Sequence, residues 1–397
     1  MSIVTEIERI KTNIANAYTA CEGKGAMLPE ILNSENLARC IASLRGSEKI
    51  PYITYIGNSG GGAITALSKA RRYIASARTE SHLLFGGGVD GAAATNAGST
   101  VVDTYDNDLV KGTAPSLSVG RRLLKGASNS NFALFVGGSK TGEASSIVDT
   151  VDAYDKDLVR TTATPLSIGR NFWNENVVSF NDTVVVSSGG TKSSTQCSNL
   201  DIYDKDLVLT TITSTETTKS IGCAATRGNK LLLAGGATGS TYTTNIEVYD
   251  EDFVSLTPAS LSVARSSIMG VSNKRITALA GGFVQGGTTT SKVIDIFDDD
   301  LVRGTASDMY VGRTRGAIVN TEYYGILAGG ATASDESKDS GAVEAIDVDG
   351  EKIMITSLSA IRRFPAGGYI NGKILIAGGQ SGSSSTIRNY VDLYSLV

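Results

Sequence analysis

The sequence predicts an all-β fold: a seven-bladed β-propeller with a small N-terminal helical segment. Three observations carry that expectation. A unit ending in an apolar run and two glycines recurs seven times, at Gly87-Gly88, Gly137-Gly138, Gly189-Gly190, Gly235-Gly236, Gly281-Gly282, Gly329-Gly330 and Gly378-Gly379. Subtracting successive first-glycine positions gives steps of 50, 52, 46, 46, 48 and 49 residues, the period of a modular array whose units bury apolar faces on one another. Within each unit four short strand patterns are separated by turn chemistry, and four antiparallel strands repeated seven times close into a propeller.

Residues 1–50 stand apart from the repeats. Ile3, Ile7, Ile10, Ile14, Ala17 and Cys21 follow alternating steps of four and three, the seam of an amphipathic helix. Gly23-Lys24-Gly25 ends it, Leu28-Pro29 opens an irregular link, and Asn33 or Ser34 caps a second helix carrying Leu37, Cys40, Ile41 and Leu44. Six Lys and Arg balance six Glu here, so apolar packing is the attachment force. The segment reads as a docking or oligomerisation element working through Ile3, Ile7, Ile10, Ile14 and Ala17, against a particle protein or a sister copy. A helical pair folded back on the propeller is the alternative. The run Ile7-Glu8-Arg9-Ile10-Lys11-Thr12-Asn13-Ile14-Ala15-Asn16-Ala17-Tyr18, with Lys24-Gly25, Leu28-Pro29 and Asn33-Ser34-Glu35-Asn36-Leu37, is similar to N-terminal segments of tail and other virion proteins from phages of Gram-positive bacteria. The resemblance implies a virion component, assembled in the host cytoplasm, that docks on virion proteins through residues 1–50 and turns its C-terminal domain outward.

Residues 51–397 form the propeller. The seventh unit stops after three strands, and Ala63-Ile64-Thr65-Ala66-Leu67 matches the segments that lead into later arginines. The expectation is a ring closed by an N-terminal strand near 61–67, which removes an exposed sheet edge. Each unit opens on an arginine (Arg71, Arg121, Arg170, Arg265, Arg313 and Arg362, with Lys219 in unit four) after a Leu-Ser-like stretch. A short turn and an apolar strand follow, then the glycines, where backbone approaches closely and φ is positive. After a polar loop come Tyr105-Asp106, Tyr154-Asp155, Tyr203-Asp204, Tyr249-Asp250 and Phe297-Asp298, each followed by Leu-Val or Phe-Val; Ile346-Asp347 and Leu393-Tyr394 depart from the pattern. Arginine, diglycine and Tyr-Asp at this period resemble the kelch repeat over roughly residues 61–397. Where kelch units usually carry Trp on the fourth strand this chain has Leu or Phe, and its one tryptophan, Trp173, lies elsewhere.

Composition narrows the function. Net charge is −4 with no basic block, which disfavours nucleic acid. No run of 18 apolar residues is present, so no membrane insertion is expected, and the N-terminus lacks the apolar core of a signal peptide. The four cysteines lack metal spacing and read as free thiols. Gly138-Ser139-Lys140-Thr141 lacks the first glycine and following helix of a phosphate loop.

Catalysis is not expected. The chain has one histidine, His82, at the start of the strand leading to the first diglycine, and nothing in the sequence around it supports a Ser-His-Asp or Cys-His arrangement. Kelch oxidases hold copper with more histidines than exist here. The Asp-x-Asp pairs 106/108, 155/157, 204/206, 250/252 and 298/300 repeat at one hairpin, as turn-forming aspartates do, with calcium at Asp347-Val348-Asp349-Gly350 as the sharper alternative. No cofactor or resident metal is therefore expected.

Binding is the surviving reading. The loops between strands two and three (89–101, 139–147, 191–199, 237–245, 283–292, 331–342 and 380–389) are long and varied and share a face with the links between blades. Candidate ligand contacts there are Tyr242, Asn245, Phe283, Gln285 and Gln380. The sequence reading is thus a phage tail, fibre or baseplate protein whose propeller binds a host cell-surface glycan or protein. Its alternatives are a structural decoration subunit of the virion, a cytoplasmic kelch adaptor and a sugar-modifying propeller enzyme.

Overall fold

The computed structural model describes residues 11–19, 50–91, 93, 95–173, 176–191, 197–214, 222–238, 241–257, 259–286, 290–305, 307–333, 338–382 and 386–397. Seven four-stranded antiparallel sheets follow one another along the chain. Blade one orders Ala75–Arg78, His82–Gly86, Val102–Asp106 and Lys111–Thr113 from inside to outside. Blades two to six repeat that order over 125–162, 177–213, 223–260, 269–305 and 317–355. First strands of neighbouring blades touch all the way round, so they line the axis. Residues 11–19 are helical, with Ile14 and Ala17 half-buried and Tyr18 buried. Ile3, Ile7 and Ile10 of the expected seam, and the second helix, lie outside the described residues.

The apolar second strands explain why the ring closes. Side chains alternate across a strand, and here both faces are apolar because each blade is sandwiched. Leu83 and Phe85 pack against blade seven, while Leu84 between them packs against blade two. Leu134 and Val136 meet blade three, and Ala133 and Phe135 meet blade one. The core is thus divided into seven apolar layers, one in each gap between blades.

Polar residues fasten those layers at one end. Arg71, Arg121, Arg170, Arg265, Arg313 and Arg362 are fully buried. Each pairs with an acid on the third strand of its own blade: Asp103, Asp152, Asp201, Asp295, Glu344 and Asp392. Arg71 also donates to the carbonyls of Gly87 (2.6 Å) and Val101 (2.9 Å). The acid's other oxygen accepts the backbone N–H of the Leu-Ser stretch, as from Ser68 to Asp103 at 3.1 Å and from Ser118 to Asp152 at 3.1 Å. The arginine's own carbonyl reaches the previous blade: Gly88 N–H donates to Arg121 O at 2.8 Å and Gly138 N–H to Arg170 O at 2.9 Å. Gly379 N–H donates to Arg71 O at 2.9 Å, so blade seven holds blade one as blade one holds blade two. Tyrosines two residues beyond the acids bond the same links, Tyr105 to Thr65 O and Tyr154 to Pro115 O, both at 2.7 Å.

The diglycines are required by that approach. Gly137 sits at φ +56°, where a Cβ would lie only 2.4 Å from Arg170 O, and Gly281 at +65°, where one would lie 2.2 Å from Arg313 O. Gly189-Gly190 is the exception, with neither residue at positive φ. The repeated aspartates are turn-formers as expected: Asp106 Oδ1 accepts the N–H groups of Asp108 (2.9 Å) and Val110 (2.8 Å). Asp155, Asp204, Asp250, Asp298 and Asp347 repeat this pairing. The turn holds Leu109 at φ +64° and sends it toward the layer below, while Val110 stays exposed.

The closing strand differs from the sequence expectation. Ile53–Asn58, not a segment near 61–67, pairs with Val391–Leu396, in register from Ile53 with Leu396 to Asn58 with Asp392. In the other blades a tight Asp turn ties strand four to strand three and fixes its distance from the next arginine. This strand arrives without that turn, and the single-turn 3-10 segment Ser59–Gly61 lengthens its link to Arg71. Residues 61–67 run beside the third strand's start, where Leu67 N–H donates to Asn389 O at 3.0 Å.

Two outcomes follow from the fastening. Gly137→Ala should cost roughly 3 kcal/mol or more because of the carbonyl contact. Gly286→Ala, at φ +95° with nothing within 4 Å, should cost only the backbone strain of about 1–2 kcal/mol. Equal losses in thermal unfolding would contradict the close-approach account. The second concerns acid. Burial alone would raise Asp103, but its hydrogen bond with Lys111, the charge of Arg71 and the Ser68 N–H outweigh burial and hold it below its ordinary 3.8. A folded value below the unfolded one stabilises the fold above pH 3.8 and loses that contribution as pH falls from there. Melting temperature against pH should therefore drop less steeply below 3.8 in Asp103→Asn than in the parent chain.

Candidate functional site

The arginine that fastens each blade is followed by residues that surround the axial mouth. After Arg71, Arg121, Arg313 and Arg362 come Arg72-Tyr73, Arg122-Leu123, Thr314-Arg315 and Arg363-Phe364. Antiparallel bridges tie these residues to the beginnings of the long loops, Arg72 to Val89, Arg122 to Ser139, Thr314 to Ala331 and Arg363 to Gln380. The mouth therefore lies on the long-loop face. Tyr73, Leu123, Ser267, Arg315 and Phe364 all have positive φ, between +54° and +58°. Non-glycine residues in this region cost of order 1 kcal/mol each, a cost the Asp turns also carry at Leu109, Leu158, Leu207, Phe253 and Leu301.

Three rings from blades one, three and seven narrow the axis. Tyr73 and Phe364 have centroids 4.3 Å apart, Tyr73 and Trp173 5.6 Å, and Trp173 and Phe364 6.2 Å. Trp173 remains 38% exposed, so it forms the accessible lip of the constriction. Cations sit against these rings. The guanidiniums of Arg72 and Arg122 each lie 4.8 Å from the Tyr73 centroid, and Arg315 lies 5.5 Å from both Trp173 and Phe364. Arg72 donates to the Gln380 side-chain carbonyl, and Arg363 pairs with Asp339 at 2.7 Å. Arg122 takes part in none of the ion pairs, and its Nε and Nη1 meet no acceptor among the described residues. Burial pulls Arg122 below the ordinary arginine range, Tyr73 opposes that, and the like charge of Arg72 adds to it.

Behind the rings the channel widens to about 440 Å³, and the opposite end opens into a bowl of about 820 Å³. The polar groups of that bowl are largely spent between blades. Ser128 Oγ accepts Arg78 N–H at 2.9 Å, Ser179 Oγ accepts Ser128 N–H at 3.0 Å, and Asn320 Oδ1 accepts Ser272 N–H at 2.9 Å.

The residues singled out in the loops divide into two groups. Tyr242 and Gln285 are brought together, with the Gln285 side-chain carbonyl accepting Tyr242 N–H at 2.8 Å, and Gln285 is exposed. Asn245 begins a third strand and caps its own turn through Thr243, at 3.1 Å. Phe283 and Gln380 are buried, contrary to their expected place on the loop surface: each lies in a two-residue strand just past a diglycine, which draws it inward. Phe283 lies 5.7 Å from Arg315, and Gln380 holds Arg72, so both support the cations at the mouth. Sequence reasoning missed those cations, although the basic doublets 71-72, 121-122 and 362-363 signalled them.

Other chemistry is thinly supplied. His82 Nδ1 is 2.8 Å from Ser81 Oγ at a tight turn, and no acid orients its other nitrogen among the described residues. Among the described residues no group of three or more His, Cys, Asp or Glu is placed to hold a metal ion. Cys197 and Cys223 are buried free thiols lining one small cavity with Glu247. In that fourth unit Glu247 bonds Ser214 Oγ (2.5 Å) and Tyr249 OH (2.9 Å).

The chain is thus a seven-bladed β-propeller with an arginine-rich, aromatic-lined mouth on one face. No family model and no curated protein matches it. Among solved structures it is similar to YjhT, with a TM-score of 0.55 at 13% identity over 74% of this chain and 99% of that one. A likeness at that identity is one of fold.

Proposed function

We propose that the chain is a binding module of a phage particle, in which the propeller recognises a host-surface ligand through its long-loop face. The observation that carries this reading is the asymmetry of the ring. One face is made of Asp turns and short hairpins whose polar groups are spent on their own backbone. The other carries the long loops and a mouth of exposed tryptophan and buried arginine. Loop length is tolerated there because the ring beneath is fastened independently, and it costs little stability. The particle assignment rests on the resemblance of residues 7–37 to virion docking segments and on the kelch-like pattern of the repeats. The half-buried Tyr242 and the exposed Gln285 are the part of the loop set this reading places in contact with ligand.

Adsorption of particles to host cells tests it. Tyr242→Ala with Gln285→Ala should reduce adsorption several-fold while leaving melting temperature within about 2 °C, since both are peripheral to the core. Lys156→Ala and Lys205→Ala on the opposite turns should leave adsorption unchanged. Equal adsorption by the double variant, the two lysine variants and the parent would set the binding reading aside.

A further inference from the structure

We infer that the axial mouth is an oxyanion-binding subsite, in which Arg122 receives a carboxylate or phosphate group of the ligand and Trp173 contacts the moiety that bears it. This rests on the long-loop face being the binding face, and it names the ligand chemistry that the face takes. The argument begins with an imbalance. Arg122 is 4% exposed, yet no carboxylate pairs with it, and two of its nitrogens meet no acceptor among the described residues. A buried guanidinium is ordinarily paired or fully hydrogen-bonded, because desolvating it otherwise costs several kcal/mol. The six fastening arginines of this chain obey that rule, each with its own acid. Arg122 follows one of them directly in sequence and has none among the described residues.

Position strengthens the case. Arg72 and Arg122 both lie 4.8 Å from the same Tyr73 ring, so two like charges share one aromatic wall at the constriction. Arg315 adds a third cation against Trp173 and Phe364. Cation–ring contact offsets part of the repulsion, but a guanidinium fork remains matched to a planar or tetrahedral oxyanion. Phe283 and Gln380 hold Arg315 and Arg72 in place from behind. Hydrogen-bond donors with fixed orientation, a ring to stack on and an open side at Trp173 make a site for an anionic group on a larger ligand. An acidic sugar and a sugar or polyol phosphate share that chemistry.

The chain has one tryptophan, and it stands at the mouth, so its fluorescence reports the site directly. Purified full-length protein is titrated with D-glucuronate, with glycerol 3-phosphate, and with glucose or sodium chloride at matched ionic strength. A saturable change in Trp173 emission is expected with at least one oxyanion and not with glucose or chloride. A response to glucuronate alone assigns acidic sugars, and a response to glycerol phosphate alone assigns phosphate-bearing polymers. Arg122→Gln should weaken the response by about tenfold or more, and Lys205→Gln, which removes the same charge elsewhere, should not. Arg122→Lys keeps the charge without the fork and should fall between the parent and Arg122→Gln, which serves if the glutamine variant fails to fold. Absence of any saturable response in the parent, or a response that survives in folded Arg122→Gln, overturns the inference. Because no particle or host cell enters this titration, its failure is separable from failure of the adsorption test.

Discussion

The buried arginine–acid pair is the constraint on which the ring depends. One guanidinium joins the start of a blade to the carbonyls after its second strand and to the acid on its third. The acid in turn holds the N–H of the incoming link, and the arginine's carbonyl receives an N–H from the blade before. A single residue type thereby fixes strand order within a blade and spacing between blades. The cost is visible too: Nε of Arg71, Arg121, Arg265, Arg313 and Arg362 meets no acceptor among the described residues. Such pairs gain little over well-packed apolar groups but lose heavily when one partner is removed. They specify the geometry that the seven apolar layers fill.

A second set of arginines, one or two residues further on, does different work with the same side chain. At the fastening position the guanidinium faces its own blade and finds carbonyls and a carboxylate. At the mouth the backbone turns through positive φ, and the side chain meets aromatic rings instead. The first set supplies rigidity, which allows the second to hold strained backbone and like charges close together. On the proposed reading, stability and recognition are divided between adjacent residues rather than between domains.

Much of the frame was legible in the sequence because it is periodic. Diglycine, fastening arginine and Asp turn recur in almost every unit, and each has a local physical reason. The acids that pair with the arginines were less visible. Asp103, Asp152 and Asp201 stand two residues before a tyrosine in an alternating strand, where a carboxylate reads as an outward-facing polar residue. Their burial is set by a partner some thirty residues away in the chain. The closing strand was misplaced because its link has no counterpart elsewhere in the repeat. The mouth was missed for the opposite reason: Tyr73, Trp173, Arg315 and Phe364 converge from different units without sharing a residue type. Phe283 and Gln380 looked like loop-surface residues, and only the short pairing beside the glycines turns them inward.

The central claim is that neighbouring arginines hold structural and recognition roles separately, and thermal unfolding of Arg121→Met beside Arg122→Met tests it most directly. Arg121→Met strands buried Asp152 and should lose about 3–5 kcal/mol. Arg122→Met removes a buried charge that has no acid partner among the described residues and should leave stability unchanged or raise it. Equal losses at the two positions would contradict the account.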